Sequence, residues 1–257
     1  MCYDISFTAD VKELADYFPE MILDSQLNID FGNIDHIQGV SLFPDHPIIY
    51  FDRENRKVSC RPMSWSCIPE SSKTMPSMVT RNGRLNIRSE RILNEPDSYW
   101  HKIRHARCLI PVTGIYEHQH VASINKIVPY IIKPKDQHIF FLPGLYTRSN
   151  LLNGQTGIKQ PFWSFGMITT RANEIMKTIH NAKPADPRMP LFLPIDLSKE
   201  FLQDELADMD YRRILEYSMP PQSLDYKTVF TIRGSKLRPD GKSRDELYEW
   251  NIPPELF

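Results

Sequence analysis

Apolar positions along this chain recur mostly with a period of two, in short runs broken by proline, glycine and polar clusters, so the pattern predicts more strand than helix. Residues 47–51 and 57–61 flank the polar stretch 52–56 and read as a hairpin with a longer loop. Further strands are predicted at 108–112, 114–118, 127–132, 138–146, 162–169 and 227–232, where β-branched and aromatic residues concentrate. Near the start, Val11, Leu14, Ala15 and Phe18 fall at i, i+3, i+4 and i+7, the stripe of an amphipathic helix, with Thr8 or Asp10 as its N-cap. Other helices are predicted at 99–104, at 172–180 with Ile175, Met176 and Ile179 on one side, and at 198–206 with Ser198 as N-cap. Residues 151–157 read as an exposed loop. The class is α+β, strand-rich with peripheral helices. No repeat, low-complexity tract or linker divides the chain, which predicts a single domain over 1–257, with 233–257 as a tail or wrap-around segment.

Composition narrows the functional classes. Lys and Arg (31) nearly balance Asp and Glu (32) in 257 residues, which argues against a protein that binds nucleic acid through bulk charge. The charge is uneven, however. Residues 1–35 carry eight acidic side chains against Lys12 alone, whereas residues 36–110 carry twelve Lys/Arg against seven Asp/Glu. The middle of the chain can therefore present a basic face. No apolar run approaches a membrane span and no secretory signal opens the chain, so a cytoplasmic protein without membrane partners is expected. Cys2, Cys60, Cys67 and Cys108 form no C-x-x-C pair, which sets aside a disulfide scaffold and a structural metal.

Cys2 carries the most specific chemistry. Removal of Met1 would leave an α-amine and a thiol on one residue. The amine, with a pKa of about 7.7–8.0, is partly neutral at physiological pH and can form a Schiff base with an aldehyde. The thiol can then close a five-membered thiazolidine, which no internal cysteine can do. Otherwise Cys2 is an ordinary residue of a loose terminus. Glu117 interrupts an apolar strand pattern and reads either as a proton donor of raised pKa or as a solvent-facing strand residue. His180 ends a helix pattern, as a cap or a catalyst. On an extended segment Asn86 and Arg88 point the same way, offering an amide to orient a reactant and a guanidinium for a phosphate; with Arg81, Arg84 and Arg91 they are alternatively a solvated loop. His101 and His105 lack the glutamate of a zinc helix and read as surface histidines, and Cys60, Cys67 and Cys108 as buried thiols.

Taken in order, Met1-Cys2, Asn86-Ile87-Arg88-Ser89-Glu90, the run from Arg107 to Glu117, and Ile179-His180 followed by Arg188-Met189-Pro190 resemble the SOS-response-associated peptidase (SRAP) family. The resemblance implies a compact strand-rich α+β domain with a basic groove. It also implies recognition of abasic sites in single-stranded DNA and their capture as a covalent thiazolidine in the DNA damage response. Residue by residue, it assigns Cys2 as nucleophile, Asn86 as the group that holds cysteine and sugar in register, and Arg88 as a phosphate ligand. Glu117 becomes the proton shuttle and His180 the group assisting ring opening. Arg81, Arg84 and Trp65 join as DNA contacts, with no cofactor or metal and a monomer as the working form. Departures stand out: Tyr3 and Asp4 replace the family's glycine and arginine, Trp65-Ser66-Cys67-Ile68-Pro69 lacks a second tryptophan, and residues 181–187 lengthen the link after His180. Two other functions use the same residues. One is an N-terminal-nucleophile peptidase with Glu117 or His180 as base; the other is a noncatalytic nucleic-acid-binding module.

Overall fold

The structure is a computed structural model that describes residues 2–28, 31–182, 185–233 and 237–250. In chain order its strands are β1 (Asp4–Asp10), β2 (Ile22–Leu23), β3 (Gly32–Gln38), β4 (Asp45–Asp52), β5 (Lys57–Trp65), β6 (Asn86–Arg88), β7 (Arg107–Val112), β8 (Gly114–Val121), β9 (Lys126–Pro134), β10 (Phe140–Leu152), β11 (Lys159–Arg171), β12 (Arg188–Pro190) and β13 (Leu224–Thr228). The α-helices are α1 (Met78–Asn82), α2 (Ser89–Leu93), α3 (Tyr99–Lys102), α4 (Glu174–Ile179), α5 (Ile195–Phe201) and α6 (Asp208–Leu215).

Five strands close on themselves. β5, β4, β7, β10 and β11 pair in that order, and β11 returns to β5 through Ser164–Ser64 and Phe165–Trp65. Closure removes the unpaired edges that an open sheet would present. β11 is long enough to serve two parallel partners: past β5 it pairs with β6, setting Met167 against Asn86 and Thr169 against Arg88. Gly166 permits this approach, because a Cβ there would lie 2.9 Å from Ile87 Cδ1 and 3.0 Å from the Arg84 carbonyl oxygen. The second sheet, ordered β13-β9-β8-β1-β3, packs beside this barrel. Trp65, Leu109, Ile110, Phe140 and Phe165 are among the fully buried core residues.

Several expectations shift for physical reasons. The stripe at 11–18 folds as a 3-10 helix, Val11–Asp16, capped by Asp10 in a capping box with Glu13. Its three-residue repeat buries Val11 and Leu14 and leaves Ala15 in solvent. Ser198 is not a cap; it lies inside α5 and its hydroxyl donates back to the Pro194 carbonyl. β1 escapes the period-two test because it lies between β3 and β8 and is buried on both faces, Asp4 and Ser6 included. Strand pairing near 227–232 ends at Thr228. Beyond it, Val229 accepts from the Trp250 indole and Phe230 packs on Tyr248, so residues 248–250 fold back over this sheet.

Candidate functional site

Cys2 precedes β1 at the seam between the two sheets, and it is fully buried. Asn86 Nδ2 donates to its carbonyl oxygen at 2.8 Å, while the Gly39 N–H donates to the carbonyl of Tyr3 at 2.8 Å. One tie comes from β6 and the other from the residue after β3, so both sheets grip the N-terminal segment. This is not a loose terminus. Burial, reinforced by the charge of Glu117, pushes the Cys2 thiol well above its ordinary pKa. At neutral pH the sulfur is therefore protonated, with Asp4 O as its 3.4 Å acceptor.

Glu117 lies one residue past the Asp4–Tyr116 pair that ends the β1–β8 ladder. It is buried, which sets aside the solvent-facing reading. Its Oε2 stands 2.6 Å from Nδ1 of His180, the C-cap residue of α4. The sequence places His180 there through both ends of its helix. Asn173 caps α4 by accepting from the Met176 N–H; beyond the helix, Asn181 brackets His120 of β8, accepting from its N–H at 2.8 Å and donating to its carbonyl at 2.9 Å. Glu117 Oε1 and Asn86 Oδ1 are also buried, and neither has a hydrogen-bond partner among the described residues. Buried acceptors are normally satisfied, so each of these two oxygens near Cys2 has room to receive a donor.

A cavity of about 530 Å³ opens beside this pair, lined by Tyr3, Arg88, Glu117, His180, Asp186 and Arg233 among others. Arg88 is exposed and ion-paired to Asp186 at 2.6 Å. Asn86 and Arg88 do share a side of an extended strand, with Ile87 buried between them. Arg188 is differently employed: its guanidinium is buried, forked onto Glu90 at 2.7 and 2.8 Å and bonded to the Thr169 carbonyl.

The family model for the SOS response associated peptidase (SRAP) matches residues 1–232. The chain belongs to the SRAP family. Among its relatives, "Abasic site processing protein YoqW" of Bacillus subtilis (strain 168) is 33% identical over 165 residues, 64% of this chain and 66% of that protein. "Abasic site processing protein YoaM" of the same organism is 34% identical over 163 residues, 63% and 65% of the two chains. The matched stretch thus spans just under two thirds of each relative's length. Among solved structures, a protein from Bacteroides thetaiotaomicron shares the fold with a TM-score of 0.74 at 24% identity, covering 95% of this chain and 97% of that one. A Bordetella bronchiseptica protein does so with a TM-score of 0.69 at 18% identity, covering 90% and 100%.

Within this SRAP fold the remaining expected DNA contacts lie elsewhere. Trp65 is fully buried, stacked on Phe165 with ring centroids 6.0 Å apart, and its indole donates to the Leu85 carbonyl at 3.0 Å. No face is left for a base to stack on. The ring instead forms a floor for Gly39, where a Cβ would lie 2.7 Å from Trp65 Cε3, and Gly39 in turn holds Tyr3. Arg81 lies 3.9 Å over the Phe43 ring and donates to Ser64; Arg84 is half-buried with one nitrogen unpartnered. Neither lines the cavity. His101 is tied to the Ile92 carbonyl, and burial pushes the thiols of Cys60, Cys67 and Cys108 upward. Among the described residues no cluster of three or more His, Cys, Asp or Glu could hold a metal, and no helix is long and apolar enough to cross a membrane. Sequence reasoning missed His36 and Arg233, the partners of Asp4, because nothing local links positions so far apart.

Proposed function

We propose that this chain, acting as a cytoplasmic monomer, captures abasic sites in single-stranded DNA as a thiazolidine on Cys2 once Met1 has been removed. The supporting observation is a buried Cys2 whose carbonyl is held by Asn86, near the Glu117–His180 pair. The names of the relatives as abasic site processing proteins point the same way.

The chemistry is a sequence of proton movements. The cyclic hemiacetal of an abasic sugar opens when its ring oxygen gains a proton and its anomeric hydroxyl loses one, a transfer suited to the short Glu117–His180 contact. The α-amine of Cys2 then adds to the aldehyde, and the carbinolamine loses its hydroxyl as water after protonation, giving the imine. Finally the thiol adds across the C=N bond, carbon bonding to sulfur while the thiol proton ends on nitrogen. Glu117 Oε1 and Asn86 Oδ1 are acceptors for the N–H groups that appear along this path. A buried, protonated thiol fits this order, in which the amine attacks first.

Denaturing electrophoresis with single-stranded DNA bearing an abasic site tests the reading. Wild type should give an adduct that survives heating without reductant, and intact mass should show that active protein begins at Cys2. Cys2→Ser should give at most a labile adduct that borohydride captures, and Cys2→Ala no durable product with noncovalent binding retained. A stable adduct from Cys2→Ala, or active protein that keeps Met1, would overturn the assignment. Peptide turnover would support the hydrolase, and a salt-sensitive shift with no covalent band the binding module.

A further inference from the structure

Position 4 places a carboxylate at the rim of a site that must accept a polyanion. Asp4 is buried, and a buried charge needs compensation. His36 supplies one contact, Nε2 to Oδ1 at 2.8 Å. Arg233, 229 residues away in sequence, supplies the other: its Nε donates to Oδ1 at 3.1 Å and its Nη2 to Oδ2. Burial alone would push the carboxyl up, but the hydrogen bonds from His36 and Arg233 and the guanidinium's charge outweigh it and hold Asp4 below its usual range. The two partners are unequally placed. Asp4 is 2% exposed while the Arg233 side chain is 42% exposed and lines the same cavity as Arg88. Asp4 engages Nε and Nη2, and among the described residues Nη1 is left for another acceptor.

The two guanidinia reach the cavity from different parts of the fold, Arg88 from a barrel-side strand and Arg233 from the chain beyond β13. Arg88 ends β6, the strand whose Asn86 holds the Cys2 carbonyl; Arg233 rests on the first residue of β1, two positions past Cys2. Each is thus tied to the Cys2–Asp4 segment by its own contact, Arg88 by way of Asn86 and Arg233 by way of Asp4, and an abasic nucleotide keeps a phosphate on each side of its sugar. We propose that Arg233 is a second phosphate-binding residue of the site, gripping the phosphate on the side of the sugar opposite to that held by Arg88, with Asp4 as the residue that aims it. The inference rests on the DNA-binding reading above.

Fluorescence anisotropy of the full chain with labelled single-stranded DNA carrying a tetrahydrofuran in place of the abasic sugar isolates binding, since this analogue has no aldehyde. Removing one phosphate-binding cation should lower the slope of log affinity against log salt by ~0.7. Arg233→Gln and Arg88→Gln should each show that decrease, the pair of substitutions together about twice as much, and Arg233→Lys should keep the wild-type slope. Should Arg233→Gln destabilise the fold by stranding Asp4, the double variant Asp4→Asn/Arg233→Gln removes both charges and should show the same decrease in slope. On a probe that ends at the tetrahydrofuran and so lacks the flank held by Arg233, Arg233→Gln should bind like wild type while Arg88→Gln remains weaker.

Wild-type slopes in Arg233→Gln and in the double variant would reduce Arg233 to a tie for Asp4. If both arginines respond to removal of the same flank, the placement on opposite sides is wrong. The underlying reading fails separately: wild type that binds with both arginine contributions yet forms no adduct with true abasic DNA would leave Arg233 assigned and the crosslinking chemistry refuted. A wild-type chain that does not bind the probe would overturn both.

Discussion

The side-chain amide of Asn86 crosses 84 residues of chain to meet the carbonyl of Cys2, and it is the only side chain among the described residues that hydrogen-bonds the backbone of Cys2. A neutral hydrogen bond contributes about 1 kcal/mol, close to a fivefold change in rate when the bond serves only to aim a reactant. Asn86→Ala should therefore slow single-turnover adduct formation about fivefold or more at saturating DNA. Affinity for tetrahydrofuran-containing DNA should stay within about twofold. An equal decrease in both measurements would make Asn86 a DNA ligand instead.

Glu117→Gln keeps the shape of the side chain but cannot exchange a proton. Adduct formation should slow on the order of 10²–10⁴-fold with noncovalent binding intact. Because Glu117 and His180 share one short contact, they should act as a unit. The double variant Glu117→Gln/His180→Asn should be scarcely slower than the worse single one, and additive effects in quenched-flow rates would show that the two serve separate steps.

Asp186 occupies Arg88 as a phosphate would. Both side chains are about half exposed, so the pair is worth no more than about 1 kcal/mol. Asp186→Asn should raise affinity for single-stranded DNA by up to about fivefold, and Arg88→Ala introduced on top should cancel the gain. A gain that persists without Arg88 would point to general charge rather than release of this guanidinium.

His46 gives the fold a pH dependence. It is buried, its Nε2–H donates to the Pro111 carbonyl at 2.7 Å, and burial lowers its pKa from 6.5 to about 4. Between those values the unfolded chain binds the extra proton, so stability rises with pH. The contribution is complete above pH 6.5 and is lost as pH falls through 4, about 3 kcal/mol in all. Urea midpoints at pH 7 and pH 5 should differ in wild type and differ less in His46→Gln. Equal shifts in both proteins would assign the acid sensitivity to other groups.

What could be read in the sequence was what repeats locally. The β4–β5 hairpin declared itself through alternation around a polar turn, and Asn86 and Arg88 lay on one side of a strand, as their spacing required. Glu117 was conspicuous as a carboxylate in an apolar run. Contacts between distant segments left no such trace. The link from Glu117 to His180 depends on where α4 docks, and the link from Asp4 to Arg233 spans nearly the whole chain. Trp65 shows the opposite failure. An aromatic residue near a proline looks the same in sequence whether it faces DNA or the core, and only the return of β11 to β5 decides that Phe165 covers it. α6 was overlooked although Tyr211, Ile214 and Leu215 carry a helical stripe, because the polar residues around them dilute it.

The two carbonyls that fasten Cys2 and Tyr3, one to each sheet, have a consequence for the order in which this protein becomes reactive. The cysteine is among the first residues the ribosome makes, yet Asn86, Glu117, His180 and Arg233 all emerge after it. The residues proposed to aim it, move its protons and hold phosphate gather round it only after the barrel has closed and the chain beyond β11 has docked. On the proposed function, reactivity is thus a property of the finished fold, and a chain cut short before His180 would carry the cysteine without the pair that moves its protons.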